Sequence, residues 1–417
     1  MGKRLIWLLM LALLAVQACN KDSGFEPGFS GADSGTRQGA ERSYSMPSRR
    51  VMVMISAGYN SLSGYLSEDL KDLESGYLPE GTYFNADVLL VLARLPKSAG
   101  DYASPSAPVL YRLWANRSGE VQRDTIQVWG GDTQLCTKET IHEALSTTQK
   151  KYPAQSYGVV FSSHGSGWLP PSYYADPSKF EPSASPWGLR SIGQDRLPQD
   201  GIEMPLEDFA DAIPMHLDYC LIDACLSGCV EVAHALKGKA DIVGFSPTEV
   251  LADGFDYKNI TRHLFATPVD PVEVCREYFA YYDAQSGSSR SATITAVDTR
   301  KMEALETVCK DLFNAYRPQL KALDGNKVQG YFRFDRHYFY DLRDILVQAG
   351  ITEQELARLQ AALDQCILYQ AATDYFLSIP LERVCGLSMY LPSKGSSYLD
   401  NYYKEHISWN QATNLVL

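Results

Sequence analysis

The chain has 417 residues, 45% hydrophobic and 21% charged, enough to bury a sizeable core in about two to three domain-sized units. With 38 Lys and Arg against 50 Asp and Glu, a formal charge of −12, it has no basic stripe to neutralise a phosphate backbone, which sets nucleic acid aside as a partner. An acidic chain accommodates a cationic substrate group more readily than an anionic one.

Lys3 and Arg4 precede an apolar run from Leu5 to Val16 that is too short to span a membrane, the pattern of a secretory signal over residues 1–18. It ends Val16-Gln17-Ala18-Cys19, which resembles a bacterial lipobox with Gln17 in place of the usual small or apolar residue. Cys19 is therefore the expected lipidation site, tethering the mature chain to a bacterial membrane, at the outer membrane or cell surface, without a spanning helix. Ordinary cleavage near Ala18 beside an incidental cysteine is the alternative. Residues 19–48, rich in Gly, Ser and charge, read as a flexible tether.

The folded body starts at residue 49. Val51 to Ile55 is an unbroken apolar run, as in a strand covered on both faces. Leu62, Tyr65, Leu66, Leu70 and Leu73 recur at helical spacing, and Ala86 to Leu92 is a second buried strand, so the three form a parallel crossover unit. Val109–Trp114 and Thr125–Trp129 flank the turn composition Asn116-Arg117-Ser118-Gly119 and predict a surface hairpin. Residues 137–151 read as a helix leading into the strand of Val159, Val160 and Phe161. From Leu169 to Gly201 regular pattern vanishes, and a loop this long in a compact domain is usually functional. Then come a short helix (Leu206 to Ile213), a strand (Leu217 to Ile222), a helix (Leu226 to Leu236), a strand (Ile242 to Phe245), helices near 257–265 and 272–282, and a strand from Ala292 to Val297. Residues 301–417 are mainly helical, with apolar stripes through Leu305, Leu312 and Phe313 and through Leu359, Leu363, Cys366 and Ile367. A late strand, Cys385 to Leu391, is expected at the sheet edge.

Two strands end in reactive side chains. One runs into Ser162-Ser163-His164-Gly165-Ser166-Gly167-Trp168, the other into Asp223-Ala224-Cys225. Parallel strands would set His164 and Cys225 side by side at the carboxyl edge of a sheet, where open α/β folds place their sites. An imidazole beside a thiol favours thiolate, the nucleophilic form. Gly165 leaves its N–H free to face a substrate carbonyl, and with the N–H of Cys225 it makes two donors for an oxyanion. A helix starting just after Cys225 would add the positive end of its dipole. Of the nine cysteines, Cys220, Cys309, Cys366 and Cys385 sit in apolar surroundings, as core thiols do. Cys220, Cys225 and Cys229 lack the C-x-x-C pairing of zinc sites.

His164-Gly165-Ser166-Gly167-Trp168 with Asp223-Ala224-Cys225-Leu226 resembles the paired motifs of the clostripain-like cysteine peptidases, relatives of caspases, gingipains and legumains. The Val51 strand, the helix before the cysteine strand and the Ser246-Pro247-Thr248-Glu249 to Tyr257 segment are similar as well. The resemblance implies a caspase-like α/β/α sandwich with a mostly parallel sheet over 49–300, and peptide-bond hydrolysis after Arg, with Lys second. It implies that Asp223, two before the cysteine, binds the basic side chain, with Asp253 a second acid at the pocket floor. A carboxylate accepts a guanidinium through two parallel hydrogen bonds, while lysine offers one point charge. The loop 169–201 matches the place where family members are clipped, making Lys179, Arg190 and Arg196 candidate self-cleavage sites.

Each assignment has a plainer counterpart. Asp223 could cap the following helix, Asp253 and Glu249 could be solvated loop acids, and Trp168 is expected to pack its loop. The other histidines have no catalytic context. No cofactor is required; calcium is known in some relatives, and the acids here permit a site without forming a motif. The competing function is a non-catalytic surface lipoprotein that binds peptide or glycan on the same scaffold.

Overall fold

The computed structural model describes residues 50–81, 87–98, 100–101, 106–171, 173, 192–195, 202–332 and 338–417. Nine strands build one sheet: β1 (Val51–Ala57), β2 (Val88–Arg94), β3 (Val109–Ala115), β4 (Val121–Val128), β5 (Tyr157–Ser162), β6 (Leu217–Asp223), β7 (Ala240–Phe245), β8 (Thr293–Asp298) and β9 (Ile367–Ala372). Their spatial order is β9-β8-β7-β6-β5-β1-β2-β3-β4. The middle strands, β2 through β1, β5 and β6 to β7, pair in parallel, and two antiparallel strands extend each edge.

The alternation of β1 explains the layering. Val51, Val53 and Ile55 enter one core and Met52 and Met54 the other, all of them buried. One face is covered by α1 (Ser63–Ser75) together with two later helices, α5 (Tyr257–Leu264) and α6 (Pro271–Asp283). The opposite face takes α2 (Lys138–Lys151), α3 (Leu206–Asp211), α4 (Val230–Ala235), α7 (Met302–Ala315) and most of the C-terminal residues. A strand buried on both sides needs a continuous apolar run, which is what the sequence supplies. The sandwich is the expected α/β/α arrangement with a largely parallel centre.

Four expectations change. The 109–128 hairpin is not a surface appendage: β3 pairs with β2 and carries the sheet outward. The late edge strand is Ile367–Ala372, at the end of the helix Glu353–Cys366, while Ser388–Met389 pairs with Tyr340–Asp341 in a separate small ladder. Within the stretch without pattern, Ile192–Asp195 pairs antiparallel with Ile202–Met204. The helix after Cys225 starts at Val230, with Cys229 as its N-cap, and has only 6 residues.

Candidate active site

Register brings the two motifs together. Ser162 of β5 pairs with Asp223 of β6, and the Ser163 N–H donates to the Asp223 carbonyl at 3.3 Å, so His164 and Cys225 stand at matched positions beyond two neighbouring strands. Gly165 is where the loops touch. A Cβ there would lie 2.8 Å from the Cys225 carbonyl oxygen and 2.9 Å from the Ala224 Cβ, so any larger residue would push the loops apart.

The turn carrying Cys225 is held from below. The Leu226 N–H donates to Thr248 O at 2.8 Å and the Gly228 N–H to Ser246 O at 2.7 Å. Leu226 itself is buried in the left-handed region, φ 59°, a conformation that costs a branched residue about 1–2 kcal/mol and persists only where packing imposes it. The Val250 N–H donates to the Cys225 Sγ at 3.4 Å, which favours negative charge on sulfur. That donor stands in place of the expected helix dipole, because the turn separates Cys225 from Val230.

The other thiols are different. Of the eight described cysteines, all reduced, Cys225 alone is not buried. Burial pushes the Cys220, Cys275 and Cys366 thiols up to about 12, and Cys136, Cys229, Cys309 and Cys385 rise for the same leading reason. Such thiols stay protonated and inert.

His164 is half-buried, and its Nε2 is hydrogen-bonded to Ser61 Oγ at 2.8 Å. No motif marks Ser61, which lies in the loop after β1. Asn60 fastens that loop, its Nδ2 donating to Ala57 O and Gln194 O, both at 2.8 Å. Ser163 Oγ donates to Ala57 O at 2.9 Å and accepts from the Gln194 N–H at 3.1 Å, and the Gly193 N–H donates to His164 O at 2.9 Å. The backbone around the imidazole is thus tied to β1 and to the Ile192–Asp195 strand.

Asp223 does not cap a helix. It is buried, 6% exposed, and its Oδ2 accepts from Tyr257 Oη at 2.7 Å and from the Phe255 N–H at 3.3 Å. Burial raises its carboxyl to about 6, against the pull of those two donors. Gly254 (φ 58°) makes the approach possible, since a Cβ there would sit 2.3 Å from Asp223 Oδ2. Asp253, expected at the pocket floor, is exposed beside Gly254.

Sequence reasoning also missed Asp69. In α1 the predicted apolar face included Tyr65, which is 49% exposed, while Asp69 is 6% exposed between Leu66, Leu70 and Leu73. An acid inside an apolar helical arc was the available signal.

Trp168 is fully buried, with its ring centroid 4.8 Å from that of Tyr390 and 5.0 Å from that of Tyr403, and so fixes the C-terminal region to the histidine loop. Among the described residues, a set that could hold a metal is His216, Asp218 and Asp241, at the starts of β6 and β7 and so at the strand ends opposite Cys225; Arg300 already pairs with Asp241 at 3.0 Å. Cys19, Lys179, Arg190 and Arg196 lie outside the described residues.

Residues 54–414 match the clostripain family. Three solved structures share the fold. An inactive zymogen C11 protease from Parabacteroides distasonis is 26% identical, with TM-score 0.72 over 88% of this chain and 99% of that one. A secreted C11 cysteine protease from Bacteroides thetaiotaomicron, in complex with an irreversible peptide inhibitor, is 24% identical with TM-score 0.72 over 88% and 99%. A second structure of a secreted C11 cysteine protease from the same organism is 21% identical, with TM-score 0.71 over 88% and 100%. No curated protein matches the chain. The chain belongs to the clostripain family and is a cysteine-type endopeptidase.

Proposed function

We propose that the enzyme cleaves peptide bonds after arginine, with lysine second, through a His164–Cys225 dyad. The observation that carries this reading is the pairing of the single accessible described thiol with a histidine loop that meets it at Gly165. With Nε2 engaged by Ser61, Nδ1 takes the Cys225 proton. The thiolate attacks the carbonyl carbon, and the oxyanion is held by the N–H groups of Gly165 and Cys225, each donor contributing about 3 kcal/mol. His164 returns the proton to the leaving amine as the C–N bond breaks, giving a thioester. A water deprotonated by His164 then attacks, the C–S bond breaks, and the acid product leaves.

Asp223 receives the P1 cation, with its Oδ2 fixed by Tyr257 and Phe255, and Asp253, exposed beside Gly254, is the second acid. The chemistry needs no cofactor. Clipping after Lys179, Arg190 or Arg196 activates the enzyme, a reading supported by the zymogen state named for the Parabacteroides distasonis protein. The chain is exported and held at a bacterial membrane by lipid on Cys19; among the described residues no helix is long and apolar enough to cross a membrane.

The test is the full chain and its Cys225→Ala variant incubated with Arg-, Lys- and Asp-ending reporter peptides. Arg above Lys, no cleavage after Asp, and loss of both turnover and loop clipping in the variant are expected. Equal cleavage after Asp, or an active variant, contradicts the reading.

A further inference from the structure

The acid on α1 has no evident structural duty. Asp69 lies on the buried side of α1 beside Leu66, Leu70 and Leu73, 6% exposed, and among the described residues no cation or hydrogen-bond donor pairs with its side chain. An unpaired buried carboxylate costs stability that an apolar residue at the same position would not.

Its surroundings indicate what it is kept for. The end of α1 is tied to α5: the Lys258 carbonyl fills the space where a Gly76 Cβ would be, and Thr261 Oγ1 donates to Tyr77 O at 2.8 Å. Tyr257, the first residue of α5, is the donor to Asp223. α1 and α5 are thus packed against each other, and Asp69 lies within electrostatic reach of Asp223, whose like charge opposes its ionisation. The ionisable groups acting on Asp69 are Asp223 at the end of β6, Asp253 in the loop before α5, and Asp72 and Glu68 on its own helix. Tyr257 lies within the field of both buried acids. These four charged neighbours are all negative, so a cation brought among them would be attracted by each.

We infer that Asp69 is a second anionic wall of the P1 pocket, sharing the guanidinium or ammonium of the substrate with Asp223. The inference rests on the basic-P1 reading above and assigns to α1 a specificity residue that neither motif contains. Burial first, then the repulsion of Asp223, Asp72, Asp253 and Glu68, hold the Asp69 carboxyl up at about 9 in the empty enzyme. It is consequently protonated at neutral pH and releases that proton to solvent when the P1 cation enters, forming an ion pair between the carboxylate and the guanidinium. Discrimination between a cationic and a neutral P1 group thus rises with pH, toward 9.

The experiment measures kcat/KM for Arg-ending and citrulline-ending reporters, isosteric but charged and neutral, from pH 6.5 to 9, with the full chain as wild type, Asp69→Asn and Asp69→Glu. Taking their ratio cancels the ionisation of the dyad. Wild type is expected to show an Arg/citrulline ratio that climbs with pH. In Asp69→Asn the ratio falls about ten- to a hundredfold at pH 8, the loss of one charge-assisted contact, mostly through KM, and the climb disappears. Asp69→Glu restores a pH-dependent ratio. A wild-type ratio near one overturns the basic-P1 reading and this inference together. A high wild-type ratio that Asp69→Asn leaves unchanged in size and pH dependence overturns the role of Asp69 alone.

Discussion

His164 has one ring nitrogen committed to Ser61, so the direction in which the imidazole presents its other nitrogen depends on a hydroxyl in the loop after β1. When Ser61 accepts from Nε2–H, Nδ1 is the nitrogen left basic. Ser61→Ala removes a contact worth about 1 kcal/mol and lowers kcat about five- to tenfold with KM unchanged; Ser61→Thr keeps most of the rate. Steady-state kinetics of the two variants check this, and an unaltered kcat in Ser61→Ala contradicts it. Neither Ser61 nor Asp69 sits in a motif. Ser61 acts through a partner distant in sequence, which no local pattern encodes. Asp69 was legible as an acid interrupting the stripe of Leu66, Leu70 and Leu73, but helical periodicity alone placed Tyr65 inside, and packing against α5 turned the helix the other way.

The elements that the sequence made plain are those with a strong physical signature. Unbroken apolar runs marked β1, β2, β5 and β6 because parallel strands in an α/β/α sandwich are buried on both faces. Lys138–Lys151 was legible for a related reason, its amphipathic repeat, with Ile141, Ala144 and Leu145 buried on one face. The errors arose where tertiary pairing overrode local pattern. Residues 109–128 form a hairpin in isolation, and only the edge of β2 makes them part of the sheet. Ile367 continues the helical spacing of Leu359, Leu363 and Cys366, yet its backbone is recruited by β8. After Cys225 the apolar residues suggested a helix, while hydrogen bonds from Leu226 and Gly228 to Thr248 and Ser246 hold a turn instead. The consequence for the site is that the sulfur sits on a braced turn and takes a backbone donor from Val250.

At the scale of the molecule, the C-terminal region is part of the catalytic body. The Ser388 N–H donates to Gly228 O at 3.0 Å, and Glu231 on α4, wholly buried, accepts from the Tyr390 N–H at 2.9 Å and Tyr403 Oη at 2.8 Å. Burial raises Glu231 to about 7, against those donors, and Asp223 and Asp69 rise to about 6 and about 9. Carboxyls with folded values above their unfolded ones hold extra protons in the native state. Their contribution is full at pH values below about 4 and is lost as pH rises through about 6 to 9. The depressed carboxyls Asp211, Asp298 and Glu355 titrate below that window. The melting temperature of the substrate-free enzyme is therefore expected to fall between pH 5 and pH 8, and Glu231→Gln to flatten the fall. Thermal denaturation across that range checks the sign, and a melting temperature that rises with pH contradicts it.

The most direct measurement on the dyad itself is covalent trapping. An Arg-ending peptide electrophile is incubated with the full chain and with His164→Ala, and the modified residue is identified by peptide mass spectrometry. The account predicts one adduct, on Cys225, forming much more slowly without His164; an adduct on any other cysteine, or labelling of Cys225 at an undiminished rate in His164→Ala, would contradict it.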